Sequence, residues 1–222
     1  MNRKIFRVLV LICVTAVLLA SCAKGNTFKL SSDGYLDKDT GVKYIPADWM
    51  YEPINVTDEI YGEYRDHDLT FFVISGIDPL KYVSDHIGVV YHANNITMPS
   101  LGEMSVDFVD VFNQYDEVVT RVTDADFIAE LVEVYEAGYN AGAVAYSLAS
   151  AGSNVVLNQR LKFADRECGF YYVLAYVEFD RDCMYTDANG KEQTTKRFLF
   201  DRYNKIYVPV GDLFENYTPN VE

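Results

Sequence analysis

The sequence predicts an α+β fold: a mostly antiparallel sheet that ends in a C-terminal four-strand meander and is covered by two or three packed helices. Three observations carry that expectation. Short segments of two-residue alternation recur along the chain and gather in its last third. Two other segments keep a helical period of apolar side chains. Clusters of Asn, Asp and Gly punctuate the segments, as hairpin connections require.

Taken in order, Tyr35–Pro46 alternates about an Asp-x-Thr-Gly turn and predicts a hairpin. Leu69–Ser75 reads as a strand. Asp78-Pro79 then places an acceptor before a proline, and Leu80, Val83 and Ile87 supply a stripe that Gly88 ends, which predicts a helix. Val89–His92 and Met104–Phe112 read as strands, and Glu117–Val122 pairs with the latter after a turn at Asn113–Asp116. Thr123 and Asp126 resemble a capping box, Phe127, Ile128, Leu131, Val134 and Tyr135 keep helical period, and Gly138 is the expected stop. Gly138–Asn154 is rich in Ala, Gly and Ser and reads as a loop, with a helical turn near Val144–Leu148. Val155–Phe163, the doubly apolar Phe170–Phe179, and the hairpin of Thr195–Phe200 with Ile206–Val210 make the meander. A closing helical turn falls at Gly211–Tyr217. Leu36–Pro46 and Phe200–Pro209 echo one another, each with an acid and a base before a turn and then Tyr-x-Pro.

Of the 222 residues 50% are hydrophobic and 23% charged, the balance of an ordinary globular protein. Acids number 33 against 19 bases, for a formal charge of −14 and a pI near 4.6. Nucleic-acid binding, which needs a basic footprint, is excluded on that ground.

The N-terminus has its own pattern. Met1–Arg7 carries Arg3, Lys4 and Arg7 and no acid; Val8–Leu19 is apolar except for Thr15; small residues follow. This is a secretory leader, and its 12-residue apolar run is short of the ~20 residues of a spanning helix. The end of the leader, Leu19-Ala20-Ser21-Cys22, resembles the bacterial lipobox. That resemblance implies cleavage between Ser21 and Cys22, fatty chains such as palmitate at the Cys22 sulfur, and a protein held on the extracytoplasmic face of a bacterial cell membrane. The physics is favourable: each buried CH₂ contributes ~0.8 kcal/mol, and two or three chains on one residue anchor durably where one does not. Cleavage would remove residues 1–21 with their three cations and take the formal charge to −17. The organisation expected is therefore a signal peptide at 1–21, a lipidated tether at 22–32 and a single ectodomain at 33–222.

Chemistry-bearing residues are scattered. Asp66-His67-Asp68, His86 and His92 lack the spacing of a metal site. Ser147 lacks the glycines of a nucleophile elbow, and Cys168 has no local activating partner. Cys168 and Cys183 flank a predicted strand, which favours two buried thiols over a bridge unless a turn at Asp180-Arg181-Asp182 folds the segment back. Asp107 with Asp110, and Asp180 with Asp182, are pairs expected by chance among so many acids. Asp187-x-Asn189-Gly190 is a turn, not a calcium loop. Asn55, Asn95 and Asn216 begin sugar-acceptor triplets, which the bacterial source implied by the lipobox resemblance makes a coincidence. No catalytic residue, metal or cofactor is expected from this set.

Eighteen tyrosines are the strongest bias, with Tyr44, Tyr51, Tyr61, Tyr64 and Tyr91 in the N-terminal half and Tyr171 and Tyr172 in the central strand. Tyrosine serves both recognition and sheet packing. The stretch Val122–Leu131, V-x-D-A-D-x-I-x-x-L, and the later Y-Y-V-L-A-Y strand resemble the small tyrosine-rich lipoproteins of Gram-positive gut bacteria. That family implies location and offers no catalytic residues. The expected role is non-catalytic, the capture of a small extracellular ligand or contact with an envelope protein. The alternatives are an envelope hydrolase using paired acids or a cysteine, and a structural accessory of a transporter or secretion complex.

Overall fold

The computed structural model describes residues 25–140, 144–145, 152–187 and 189–217. Residues 1–24, which include the expected leader with Ser21 and the expected lipidation site Cys22, and Ser147 lie outside them.

Strands dominate, in two sheets. The first contains β1 (Asn26–Ser31), β2 (Gly34–Asp37), β3 (Lys43–Pro46), β5 (Val56–Tyr64), β6 (Leu69–Ile74), β7 (Tyr82–Ser84) and β8 (Val90–Ala93). It closes into a barrel in the order β1-β2-β3-β8-β7-β6-β5. The closing pair, β1 with β5, is parallel, and Asn26 stands opposite Gly62. Only glycine fits there: a Cβ would lie 2.6 Å from the Asn26 carbonyl oxygen and 2.4 Å from the Phe28 ring. Phe28, Tyr44, Tyr64, Phe71, Val83 and Tyr91 fill the barrel. Asp37, fully buried, ties its mouth by accepting from Asn26 Nδ2 (2.7 Å), Thr40 Oγ1 (2.6 Å) and the Tyr61 hydroxyl (3.0 Å).

The second sheet runs β10 (Val118–Val122), β9 (Phe108–Phe112), β12 (Val155–Asp165), β13 (Phe170–Thr186), β14 (Glu192–Asp201), β15 (Ile206–Pro209) and β11 (Val144–Ala145). Strands β12 to β15 follow one another as an antiparallel meander. The short β4 (Tyr51–Pro53) comes from the barrel side and pairs with β13. One α-helix, α1 (Ala125–Asn140), covers this sheet with Ile128, Leu131 and Tyr135. The core beneath it reaches Ile74 and Val90 on the barrel wall, so the barrel's outer face packs on the sheet and helix while its filling remains a separate cluster.

The α+β expectation of two or three packed helices is overturned. Among the described residues there is one α-helix, and the architecture is a closed seven-strand barrel beside a second sheet. The expected helix at Pro79–Ile87 fails for a local reason. Asp78 does accept a backbone N–H, from Leu80 at 2.9 Å, but this forms a turn and not a helix start. Tyr82 and Val83 are strand formers, and β7 pairs them with β8 and β6. The supposed stripe residues Leu80 and Ile87 are exposed. At the other helix, the cap is Asp124, whose Oδ1 accepts from the Asp126 and Phe127 amides. Gly138 does not stop it; a Cβ there would meet Val208 at 2.5 Å, so the glycine allows close approach of helix to sheet. The stretch given to the tether supplies β1, which buries Phe28. The expected turn near Val144–Leu148 lies mostly outside the described residues, and Val144–Ala145 pairs with β15.

The echo between the two hairpins has a structural counterpart. Asp201, like Asp37, is buried at a strand end, caps the turn after it through the Asn204 amide, and accepts a tyrosine hydroxyl.

Candidate functional site

The feature that could hold a ligand is a break in the second sheet. One edge of β13 is served by two strands laid end to end. Strand β4 pairs with Phe170–Tyr172, and β14 takes over at Ala175. Between them a single bond, Val173 N to the Met50 carbonyl oxygen at 2.7 Å, bridges the joint. The chain enters β4 through Trp49 and Met50 and leaves β14 through Arg202 and Tyr203, so these two segments face each other across it. The result is a groove of 440 Å³ floored by Val173, Leu174 and Ala175 of β13, with Asn158 and Arg160 of β12. A second hollow of 610 Å³ shares Trp49, Glu52 and Tyr203 and extends toward Ile87 and Val89 of the barrel. Both volumes lie in the ~300–1,000 Å³ range of small-molecule sites.

Trp49 is the sole tryptophan of the chain and is 84% exposed. An indole is costly to leave in water, so its exposure beside a concave surface is the informative observation. Tyr203 is half exposed, and its hydroxyl donates to the Asp48 carboxylate, which links the two walls and raises the phenol's pKa.

The turn carrying Tyr203 is held from behind. Asp201 accepts from Asn204 Nδ2 (2.8 Å), the Asn204 amide (2.9 Å) and the Tyr135 hydroxyl (2.7 Å). Tyr135 lies 3.0 Å from the Tyr172 hydroxyl. A phenol has one proton, and Tyr135 gives its own to Asp201, so Tyr172 must donate to Tyr135. The chain Tyr172–Tyr135–Asp201 thus joins β13, α1 and the turn. Burial first, then the neighbouring phenol and carboxylate, raise the Tyr135 pKa far above the usual range, so it remains a donor.

The groove's polar groups are a carboxylate and two guanidiniums. Glu52 pairs with Lys162 and lies 3.9 Å from Arg160 Nη1. Arg160 also pairs with Asp116 and covers the Phe112 ring at 4.9 Å, while its buried Nε has no hydrogen-bond partner among the described residues. Arg202 lines the same groove.

The residues singled out from sequence go elsewhere. His67 stacks on Tyr64 at the surface, and His86 is exposed. His92 is buried with Nδ1 2.8 Å from the Ile96 carbonyl oxygen, which fixes the proton on that nitrogen. No group of three or more His, Cys, Asp or Glu in reach of one metal ion occurs among the described residues. Asp107 accepts from the Arg166 amide, and Asp110 is paired with Arg121. Asp180 caps Asn154, and Asp187 caps the turn at Asn189. Cys168 and Cys183 are not disulfide-bonded, and β13 runs unbroken through the turn that could have joined them. Burial first, then Asp165, push the Cys168 thiol up to about 11, the opposite of an activated nucleophile. Of the tyrosines noted, Tyr44, Tyr64 and Tyr91 fill the barrel and Tyr51 and Tyr172 the shared core. The site aromatics, Trp49 and Tyr203, were not legible as a pair. The available signal was a lone tryptophan in the irregular stretch between Pro46 and Tyr51.

No family model, curated protein or solved structure matches this chain.

Proposed function

We propose that this chain is a lipid-anchored extracytoplasmic binding protein that captures a ring-bearing extracellular ligand in the groove between Trp49 and Tyr203, without chemical turnover. The exposed sole tryptophan at a preorganised concave joint carries the binding half of this reading. The walls are tied together by the Tyr203–Asp48 bond, and the turn is locked by Asp201, so little ordering cost attends binding. Asp107, Asp110 and Asp180 are spent on caps and an ion pair and Cys168 has a raised pKa, which favours capture over hydrolysis.

The location half rests on Leu19-Ala20-Ser21-Cys22. No helix among the described residues is long and apolar enough to cross a membrane. Two experiments test the reading. Mass spectrometry of the native protein should find a diacylated N-terminal cysteine, and Cys22→Ala should release the protein from membranes. A thermal-shift screen of sugars, peptides and metal ions should find a stabilising class, and Trp49→Ala should abolish that shift. A stabilising ligand indifferent to Trp49→Ala would reject the groove.

A further inference from the structure

We infer that the groove takes an anionic sugar, its ring lying on Trp49 and its acid group held by Arg202. This rests on the reading of the groove as a binding site and names its ligand class.

The charge distribution carries the inference. The protein is strongly acidic, 33 acids to 19 bases, yet the groove has the opposite balance. Glu52 is its one acid and is paired with Lys162, and Arg160 is paired with Asp116 and lies 3.9 Å from Glu52, so the cation left over in the groove is Arg202. Arg202 is exposed and makes no ion pair among the described residues. In a body so rich in carboxylates, an arginine left uncompensated beside an exposed indole is poised for an acid from outside. A guanidinium presents a planar fork that matches a carboxylate or phosphate bidentately.

The ring follows from the other groups. A pyranose has an apolar C–H face that covers an indole and hydroxyls that need partners at its edge. Asn158 can both donate and accept there, and the Glu52 carboxylate has lone pairs beyond its pair with Lys162, whereas a plain aromatic acid has no hydroxyls to use them.

The sole tryptophan makes the test direct. The full chain, purified from membranes in detergent, is titrated with trigalacturonate, neutral galactotriose and a phosphorylated hexose while Trp49 emission and acrylamide quenching are followed. Trigalacturonate should shield Trp49, bind at least tenfold tighter than galactotriose, and weaken with added salt. Arg202→Gln should cost about tenfold for the acidic sugar, as expected for one charge-assisted bond, and leave galactotriose binding and the melting temperature unchanged. Arg202→Lys should recover part of the loss. Tighter binding of the phosphorylated hexose would keep the anionic class and assign the acid to phosphate. Equal shielding by trigalacturonate and galactotriose would overturn the anionic class and leave the groove standing. No shielding by any of the three sugars would overturn the sugar assignment, and a blue shift on zwitterionic vesicles alone would assign Trp49 to a lipid surface instead.

Discussion

Replacing Tyr135 with Phe should cost far more than replacing Tyr172 with Phe, although both deletions remove one hydroxyl from the same buried chain. Tyr172 donates to Tyr135, which donates to Asp201. Tyr172→Phe deletes one neutral bond and leaves Tyr135 still donating, for about 0.5–1.5 kcal/mol. Tyr135→Phe removes a bond to a buried carboxylate, roughly 1.5–3 kcal/mol, and leaves the Tyr172 hydroxyl without an acceptor, about 1–3 kcal/mol more. The combined loss is ~2.5–5 kcal/mol after partial relaxation. In a chain of this size each kcal/mol moves the melting temperature by about 2–4 °C, so the variants should separate clearly in urea and thermal unfolding. The double variant should be less destabilised than the sum of the two, because the second deletion removes the stranded hydroxyl. Equal costs for the single variants, or strict additivity, would refute the directed chain.

Asp37 should make the barrel acid-sensitive. Burial alone would raise its pKa, but hydrogen bonds from Thr40, the Asp39 amide, Asn26 and Tyr61 outweigh it and lower it. A carboxylate lowered on folding contributes stability above its unfolded value of ~3.9 and loses it as the pH falls through the folded value. Unfolding free energy should therefore drop below about pH 4, and Asp37→Asn should be less stable at neutral pH with a shallower acid slope. Gly62→Val should open the β1–β5 closure, since its side chain would overlap the Phe28 ring and the Asn26 carbonyl, and amide exchange should accelerate in both strands. Alkylation of Cys168 should be slow at neutral pH and rise steadily toward its pKa of about 11, with no plateau near neutrality; fast labelling at pH 7 would show an activating partner.

Much of the strand inventory was legible because its signals are local. The hairpins at Tyr35–Pro46 and Thr195–Val210 announce themselves by alternation about Asp-rich turns, and α1 by its long apolar stripe. What failed were features that depend on tertiary context. Asp78-Pro79 carries the local signature of a helix start, yet Tyr82 and Val83 gain more from two strand neighbours than from an exposed helix. Barrel closure hinges on a parallel pair between Asn26 and Gly62, residues far apart in sequence, and nothing in either segment alone predicts it. The groove was hidden for the same reason. It exists because β4 and β14 end against each other on β13, a fact of register between segments about 150 residues apart in the chain. Tyrosine content was open to both recognition and sheet packing; most of the rings noted pack, and the exposed indole came from the single tryptophan.

The central claim is that a ligand sits against Trp49. Because the protein has one tryptophan, its emission, excited where tyrosine does not absorb, reports that position alone. The most direct measurement is that emission during titration with whichever sugar most raises the melting temperature of the full chain. The account predicts a saturable blue shift and reduced acrylamide quenching with the same midpoint as the thermal stabilisation. A sugar that stabilises the protein while leaving the Trp49 spectrum and its quenching unchanged would put the ligand elsewhere and contradict it.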